Sequence, residues 1–231
     1  MNVKLLAFIK KAIKAIMPYG IIMLLYRRNK KFPGSKKYWE KRYANGGNSG
    51  AGSYNRLAEF KAEVINNFVK NNSIKTVMEF GCGDGNQLSL AHYPQYKGFD
   101  VSETAIKLCK NRFKKDTTKT FYLLEEYTNT EKAEIVLSLD VIYHLVEDVI
   151  FEEYIDRLFE SSTKFVIIYA CDFDEENNFH EKPRKFTKYI ETKIKGWNLL
   201  EHIPNKFPYN KNDPNNTSRS DFYIYKIEVQ L

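Results

Sequence analysis

Apolar and polar residues alternate along the chain in a pattern that indicates strands and helices in turn. Short apolar runs predict seven strands, at 74–80, 96–101, 120–124, 134–139, 165–170, 199–203 and 221–229. Apolar residues that recur every three to four positions predict helices at 54–71, 86–91, 103–114, 147–160 and 185–195. Strands that alternate with helices are typical of an α/β fold, in which helices cover both faces of a parallel sheet. The stretches 46–53 and 210–220 are expected to be loops.

Residues 1–35 differ from the rest of the chain in pattern and in charge. Lysines interrupt the apolar residues, which stand at helical spacing, and Pro18 and Gly20 break the pattern. The segment lacks the ~20 uncharged apolar residues of a spanning helix and the unbroken apolar stretch of a secretory signal. We expect residues 1–30 either to lie at a membrane surface or to pack as a helix on their own domain or a partner subunit. Residues 36–231 form the main domain.

The net charge of +7 belongs to the N-terminal end of the chain. Residues 1–42 contain 12 lysines and arginines but one acidic residue, which leaves −4 for residues 43–231. A nucleic-acid groove on the main domain is therefore disfavoured. The three cysteines, Cys82, Cys109 and Cys171, form no CxxC pair, so neither a metal site nor a disulfide framework is predicted. A reduced, cytoplasmic protein is expected, at the inner face of the membrane if the N-terminal segment binds lipid.

The sequence Glu79-Phe80-Gly81-Cys82-Gly83-Asp84-Gly85 joins the first predicted strand to a helix. Its alternate glycines let the backbone turn tightly and approach a ligand. We expect the backbone N–H groups of this turn to be exposed, as suits an anionic group. Asp100 ends the next strand, at the distance of about 20 residues where a carboxylate meets the ribose hydroxyls of a nucleotide.

This turn resembles motif I of the class I S-adenosylmethionine-dependent methyltransferases, and Gly98-Phe99-Asp100-Val101-Ser102 is similar to their second motif. Gly85 follows Gly83 by two positions, whereas the dinucleotide pattern GxGxxG requires three. The resemblance implies a Rossmann-like fold with a seven-stranded, mostly parallel sheet. It also implies S-adenosylmethionine as cofactor and S-adenosylhomocysteine as product. A Rossmann-like domain that binds another nucleotide is the alternative.

The resemblance also places the parts of the cofactor. Glu79 corresponds to the acidic residue of motif I, and Asp100 would take both ribose hydroxyls. Asp140, after the fourth strand, would hold the methionyl ammonium directly or through water. Glu125, after the third strand, would lie near the adenine. The expected cofactor-binding residues are Tyr38, Arg42, Glu79, Gly81, Cys82, Gly83, Gly85, Asn86, Asp100, Val101, Ser102, Glu125 and Asp140.

An aromatic stretch that closes over the cofactor precedes the domain in many members of this family. Residues 36–54 are similar to it, so they are expected to form a lid with glycine hinges. Arg42 would pair with the carboxylate of the cofactor, and Tyr38 or Tyr54 would cover the site. The alternative is an ordinary aromatic helix packed on the sheet.

Candidate catalytic residues follow the fourth strand. Ligands of open α/β sheets lie beyond the carboxyl ends of the strands, so Tyr143 and His144 are expected to face the methyl group. A histidine with an unperturbed pKa near ~6.5 suits a general base for a hydroxyl acceptor. The alternative is that His144 only packs and hydrogen-bonds. His180, after the fifth strand, is a second candidate for this role.

The acceptor is expected near the polar stretch 172–186, where the family places its recognition elements. His180 and Arg184, with Lys182 and Lys185, form a positive cluster that suits a phosphate or carboxylate; a solvated loop is the alternative. Tyr54, His180 and Arg184 are the expected substrate-binding residues.

A narrower resemblance concerns the acceptor itself. The pattern His-x-x-x-Arg-x-Phe at 180–186, with 203–209, resembles methyltransferases encoded with bacterial capsule and lipopolysaccharide genes. It implies an acceptor that is a sugar hydroxyl or a phosphoryl or phosphoramidate oxygen of a nucleotide-linked or capsular glycan precursor. The alternatives are a small-molecule or protein methyltransferase outside glycan assembly and a non-catalytic S-adenosylmethionine-binding subunit. The oligomeric state stays open.

Overall fold

The computed structural model describes residues 32–176 and 178–228. The predictions for residues 1–31 therefore lie outside the described residues. The α-helices are α1 (Ser35–Ala44), α2 (Asn55–Asn71), α3 (Glu103–Arg112), α4 (Asp148–Glu160) and α5 (Phe186–Lys193). The strands are β1 (Thr76–Phe80), β2 (Gln95–Asp100), β3 (Lys119–Leu123), β4 (Ala133–Leu139), β5 (Ser162–Ala170), β6 (Trp197–Ile203) and β7 (Asp221–Ile227). None of these helices is both long enough and apolar enough to cross a membrane.

The seven strands form one sheet in the order β3-β2-β1-β4-β5-β7-β6. Strands β1 to β5 pair in parallel with their neighbours, and β7 pairs antiparallel with both β5 and β6. The predicted seven-stranded, mostly parallel sheet of a Rossmann-like fold is confirmed. Because β1, β2 and β4 run in the same direction side by side, the chain segments that follow them meet at one edge of the sheet.

Each face of the sheet carries its own apolar core. Successive side chains of a strand point to opposite faces, so Ile135 and Leu137 join one core whereas Val136 joins the other. The first core is closed by α2 and α3, and the second by α4 and α5. Helices therefore cover both faces, as the alternating pattern predicts.

Helix α3 begins where the sequence supplies a cap. Ser102 stands at the N-cap in an extended conformation, and its Oγ accepts a hydrogen bond from the N–H of Ala105 at 3.1 Å. A side-chain acceptor at this position satisfies a backbone donor that the helix leaves without an internal partner. The cap fixes the direction in which the chain leaves Asp100, the last residue of β2.

The prediction of a helix at 86–91 is wrong. The structure has a short 3₁₀ helix there, Gln87–Leu90, and an extended residue follows it. The connection to β2 contains Pro94, which favours extended backbone before it, so the chain has no length for a full helix. A second 3₁₀ turn, Ala51–Ser53, lies inside the stretch 46–53 that was expected to be a loop throughout.

Candidate active site

The glycine turn after β1 folds back on β2 and on the lid. Gly81, Gly83 and Gly85 have φ values of +87°, +58° and +73°, a backbone region that L side chains rarely adopt. The amides of residues 81–86 are all engaged by acceptors of the protein: the Phe99 carbonyl (twice), Asp100, Ser49, the Cys82 carbonyl and Asp84. The expectation that the N–H groups of this turn are exposed is therefore wrong, and the turn has no free N–H groups with which to bind a pyrophosphate. This observation fits a cofactor that approaches the turn without an anionic bridge, as S-adenosylmethionine does.

Asp100 is buried at the end of β2 and is held from two sides. Its Oδ2 accepts a hydrogen bond from the N–H of Gly83, and its Oδ1 accepts one from the N–H of Ser102, both at 2.9 Å. Burial raises the pKa of Asp100 to about 6, although hydrogen bonds from the backbone of Ser102, Gly83 and Val101 lower it. A carboxylate has about four lone-pair positions, so Asp100 retains acceptor capacity toward the ribose. The side chain fits the ribose role that the resemblance implies.

Glu79, the acidic residue of the turn, is buried beneath it. The hydroxyl of Tyr96 donates to its Oε2 at 2.6 Å. Burial raises the pKa of Glu79 to about 7, while the Tyr96 hydrogen bond and the positive charge of Lys61 oppose that shift. Glu79 therefore changes protonation close to neutral pH, next to the expected place of the amino-acid part of the cofactor.

Lys61 is a site residue that the sequence reading missed. It projects from α2, its side chain is completely buried, and its Nζ lies 2.7 Å from Oδ2 of Asp140. The hydroxyls of Tyr143 and Ser220 donate to the other oxygen, Oδ1, at 3.0 and 3.2 Å. Asp140 thus already holds an ammonium group of the protein, so a methionyl ammonium would share this carboxylate with Lys61.

A sequence signal for Lys61 exists. The residue stands four positions after Leu57 and four before Ile65, on the buried face of α2. A lysine on the apolar face of an amphipathic helix needs a partner, because burial of an unpaired charge is costly. That argument identifies Lys61 as paired, but it does not identify Asp140 as its partner.

The lid segment lies directly on the glycine turn. The N–H of Ser49 donates to Oδ2 of Asp84, while Ser49 Oγ accepts from the N–H of Asp84, both at 3.0 Å. The hydroxyl of Tyr54 donates to the same carboxylate at 2.8 Å, and the side chain of Asn86 donates to the Ser53 carbonyl at 2.7 Å. Tyr54 and Asn86 therefore hold the lid against the turn.

Substitution of Gly83 by alanine is expected to weaken S-adenosylhomocysteine binding by about tenfold. A Cβ at this residue would lie 2.4 Å from Ser49 Oγ and 3.0 Å from the Tyr43 hydroxyl, on backbone already in the left-handed region. Such overpacking costs about 1–3 kcal/mol, and about 1.4 kcal/mol corresponds to tenfold in affinity. Calorimetric titration measures the effect. Gly46→Ala is the matched control, because Gly46 has φ +77° with no heavy atom within 4 Å of the added Cβ. Equal affinities of the two variants would contradict the prediction.

Helix α1, which is the first part of the expected lid, is bound to the start of α3. Glu40 accepts hydrogen bonds from the hydroxyls of Ser102 and Thr104, at 2.6 and 2.7 Å. Arg42, expected to meet the carboxylate of the cofactor, donates from Nε to the Asn48 carbonyl at 2.6 Å and lies over the ring of Trp39. Glu125, the expected adenine contact, is exposed and forms an ion pair with Lys36.

The remaining expected cofactor residues, Cys82, Val101 and Tyr38, lie in three different environments. Cys82 is buried beside Cys109, and both this contact and burial raise the pKa of its thiol. Val101 is half-buried between Asp100 and the N-cap residue Ser102. Tyr38 lies elsewhere, since its ring stacks on His180 with centroids 4.7 Å apart.

Two histidines from distant parts of the chain meet beyond the end of β4. The imidazoles of His144 and His180 are stacked with centroids 5.4 Å apart and an interplanar angle of 10°. Trp39 meets His144 edge to face at 4.9 Å, and Tyr143 contacts it at 4.4 Å. The structure therefore brings the three predicted catalytic residues together, next to Asp140.

The environment of His144 differs from the one that its sequence context suggests. Burial lowers the pKa of His144 to about 4, far from the unperturbed value, and the positive charge of Arg42 acts in the same direction. The ring is therefore neutral at pH 7, and it is a weaker proton acceptor than an unperturbed histidine. Burial also lowers the pKa of His180.

Arg184, an expected substrate-binding residue, uses its guanidinium within the protein. Its nitrogens donate to the carbonyls of Leu145, Val146 and Lys182 and to the carboxylate of Asp148. These contacts fasten the chain after β5 to the segment that carries His144. Arg184 would bind an anion only by giving up some of these partners.

The comparisons with known proteins agree with this architecture. A model of the family described as "Methyltransferase domain" matches residues 71–221. No curated protein matches the sequence. Among solved structures, the chain is similar to the N-methyltransferase NodS from Bradyrhizobium japonicum WM9 in complex with S-adenosyl-L-homocysteine. The two share 14% identity with a TM-score of 0.65, over 84% of this chain and 98% of that one.

Two further structures show the same likeness. Magnesium protoporphyrin IX methyltransferase (ChlM) from Synechocystis PCC 6803, with bound S-adenosylhomocysteine, is 14% identical with a TM-score of 0.58, over 75% of this chain and 85% of that one. An O-methyltransferase family protein from Burkholderia thailandensis is 11% identical with a TM-score of 0.57, over 76% and 57%. Since the names include an N- and an O-methyltransferase, the shared fold does not determine the acceptor atom.

Proposed function

We propose that this chain, which belongs to the methyltransferase-domain family and is an enzyme that uses S-adenosylmethionine, transfers the methyl group to an oxygen atom. The proposed acceptor is a sugar hydroxyl or a phosphoryl or phosphoramidate oxygen of a nucleotide-linked or capsular glycan precursor. The methyl group of the cofactor is bonded to a positively charged sulfonium. When the methyl group is transferred, the sulfur becomes a neutral thioether, which is a good leaving group. The protein therefore contributes mainly positioning and electrostatics.

The observation that carries the proposal is the group of His144, His180 and Tyr143 beyond the end of β4. Their polar atoms stand among the aromatic rings of Tyr38 and Trp39. A few polar groups set in an aromatic wall suit an acceptor with both hydroxyl groups and an apolar ring face, as a sugar has. We propose that His144 and His180 contact the acceptor oxygen and that Tyr143, through its hydrogen bond to Asp140, is fixed beside the methyl group.

The two acceptor types make different demands on His144. A hydroxyl must lose its proton as its oxygen gives an electron pair to the methyl carbon, whereas a phosphoryl oxygen is already anionic. The lowered pKa of His144 makes proton acceptance by the free imidazole weak. A phosphoryl or phosphoramidate oxygen needs no proton acceptor, whereas a hydroxyl needs more assistance than the free imidazole of His144 gives.

Replacement of His144 by phenylalanine or alanine is expected to lower kcat by about tenfold, because the acceptor loses a hydrogen bond of about 0.5–1.5 kcal/mol, while the affinity for S-adenosylhomocysteine stays unchanged. Phenylalanine retains the ring contacts with Trp39 and His180 but has no nitrogen, so it separates chemistry from packing. His202→Ala is the control, because His202, on β6, pairs with Asp221 and stacks on Tyr223, outside the group of His144, His180 and Tyr143. Full turnover by His144→Phe would show that His144 only packs.

Transfer of a labelled methyl group tests the proposed acceptor class. The full chain is incubated with methyl-labelled S-adenosylmethionine and separate panels of nucleotide-linked sugars, phosphoramidates, amines and peptides. The proposal expects label on oxygen in the first or second panel, and the position is read by NMR and mass spectrometry. Label found only on nitrogen or carbon would overturn it.

A further inference from the structure

His144, His180 and Glu181 form a cluster of metal-binding side chains. One ring nitrogen of each histidine and one carboxylate oxygen of Glu181 all lie within 4.8 Å of one another. Ligand atoms of a tetrahedral zinc site lie about 3.4 Å apart when the bonds are 2.0–2.1 Å long. On binding one ion, reorientation of the His180 and Glu181 side chains would therefore have to bring these atoms closer together, and His180 would shift against the ring of Tyr38.

Backbone hydrogen bonds hold the segment that carries His180 and Glu181 next to the segment that carries His144. Asn178 and Glu181 exchange two N–H···O=C hydrogen bonds of 2.8 Å, which close a tight turn with His180 in it. The N–H of Lys182 then donates to the Tyr143 carbonyl at 2.7 Å, next to His144 in the chain. A site whose ligands are fixed by backbone hydrogen bonds pays little ordering cost on binding.

The hydrogen bond of His144 determines which of its nitrogens faces a ligand. Its Nδ1 lies 3.1 Å from the backbone carbonyl of His180. A carbonyl only accepts, so Nδ1 carries the proton in this contact and Nε2 keeps its lone pair. Histidines that bind metals almost always donate their other ring N–H in this way, to a carbonyl or a carboxylate.

The ligand set and the charges around it define the kind of ion. Two imidazoles and one carboxylate suit divalent ions such as zinc and cobalt, rather than calcium or magnesium, which prefer oxygen ligands. Glu181 favours a cation, whereas Arg42 opposes one, and the charge of the nearby Asp140 is already paired with Lys61. Three protein ligands also leave coordination positions open, which is the arrangement of catalytic zinc sites.

We propose that His144, His180 and Glu181 bind one divalent zinc-like ion whose open positions face the acceptor. This role rests on the proposed function, although binding of the ion itself does not. An oxygen coordinated to such an ion loses its proton more readily, so the ion would activate a sugar hydroxyl of the acceptor. The oxygen gives its electron pair to the methyl carbon, the C–S electrons remain on sulfur, and the proton leaves to water.

Cobalt(II) is the probe that tests the site, because its visible absorption reports the coordination directly. The untagged full chain is dialysed against a chelator and titrated with cobalt(II), and with zinc(II) in a calorimeter. One equivalent is expected to bind, and His180→Ala and Glu181→Gln are each expected to lower the affinity at least tenfold. The chain has four histidines. His202→Ala is the control, because it removes a histidine that also lies beside a carboxylate, that of Asp221, but outside the cluster. Its affinity is expected to equal that of the unaltered chain.

The outcomes separate this inference from the proposed function. Absence of a cobalt band and of zinc heat up to millimolar metal would overturn the metal site, as would binding that survives His180→Ala and is lost in His202→Ala. Unaltered methylation of an oxygen acceptor in the chelator-treated protein would overturn the role of the ion and leave the proposed function standing. One-to-one binding in a protein that methylates only nitrogen would uphold the site and overturn the proposed function.

Discussion

Asp100→Ala is expected to reduce the affinity for S-adenosylmethionine and S-adenosylhomocysteine by at least about 100-fold. Hydrogen bonds to a charged group contribute about 1.5–3 kcal/mol each, and Asp100 would accept two of them from the ribose hydroxyls. The variant also removes the acceptor that holds the N–H groups of Gly83 and Ser102, so the glycine turn loses its support at the same time. Calorimetric titration with S-adenosylhomocysteine measures the loss.

Two further variants make this result specific. Asp100→Asn keeps the shape of the side chain but has one oxygen, so an intermediate loss is expected. Asp156→Ala removes an exposed carboxylate from α4, far from the strand ends, and should bind as the unaltered chain does. Undiminished binding by a folded Asp100→Ala protein would contradict the assignment of the ribose site.

Lys61→Met is expected to destabilise the fold by about 3 kcal/mol. Removal of one partner from a buried ion pair leaves the other charge without compensation, which typically costs 3–5 kcal/mol. The Asp140 side chain is 12% exposed and keeps its hydrogen bonds from Tyr143 and Ser220, so the lower end of that range applies. Urea unfolding of the full chain, followed by circular dichroism, measures the change in the free energy of unfolding.

A surface pair and a double variant control the Lys61 experiment. Lys107 forms an ion pair with Glu103 in which both side chains are mostly exposed, and such pairs contribute less than about 1 kcal/mol. Lys107→Met should therefore cost little. Lys61→Met combined with Asp140→Asn should be more stable than the sum of the two single losses, because no charge is then left unpaired. Strict additivity would contradict the coupling.

The strands of the sheet are well determined by local sequence. The apolar runs that precede Gly81 and Asp140 form β1 and β4, within two residues of the predicted starts, because a buried parallel strand has little tolerance for polar side chains. The connection after Gly85 was less predictable. Its apolar residues fit a helix, but the short distance to β2 allows only one 3₁₀ turn.

The site is less predictable than the sheet because its contacts are distant in sequence. The approach of Gly83 to Asp100 follows from the motif, whereas the Ser49–Asp84 contact that occupies the turn depends on how the lid folds. The meeting of His144 and His180 likewise requires the chain after β5 to return to the end of β4. No periodicity reports such a return, and burial then changes the pKa of His144 beyond what its neighbours suggest.

A crystal structure of the chain in complex with S-adenosylhomocysteine is the most direct test of the account. We expect both ribose hydroxyls to lie within hydrogen-bonding distance of Asp100 and the sulfur of the cofactor to point toward Tyr143 and His144. A nucleoside bound away from Asp100, or a sulfur directed away from the His144–His180 pair, would contradict it.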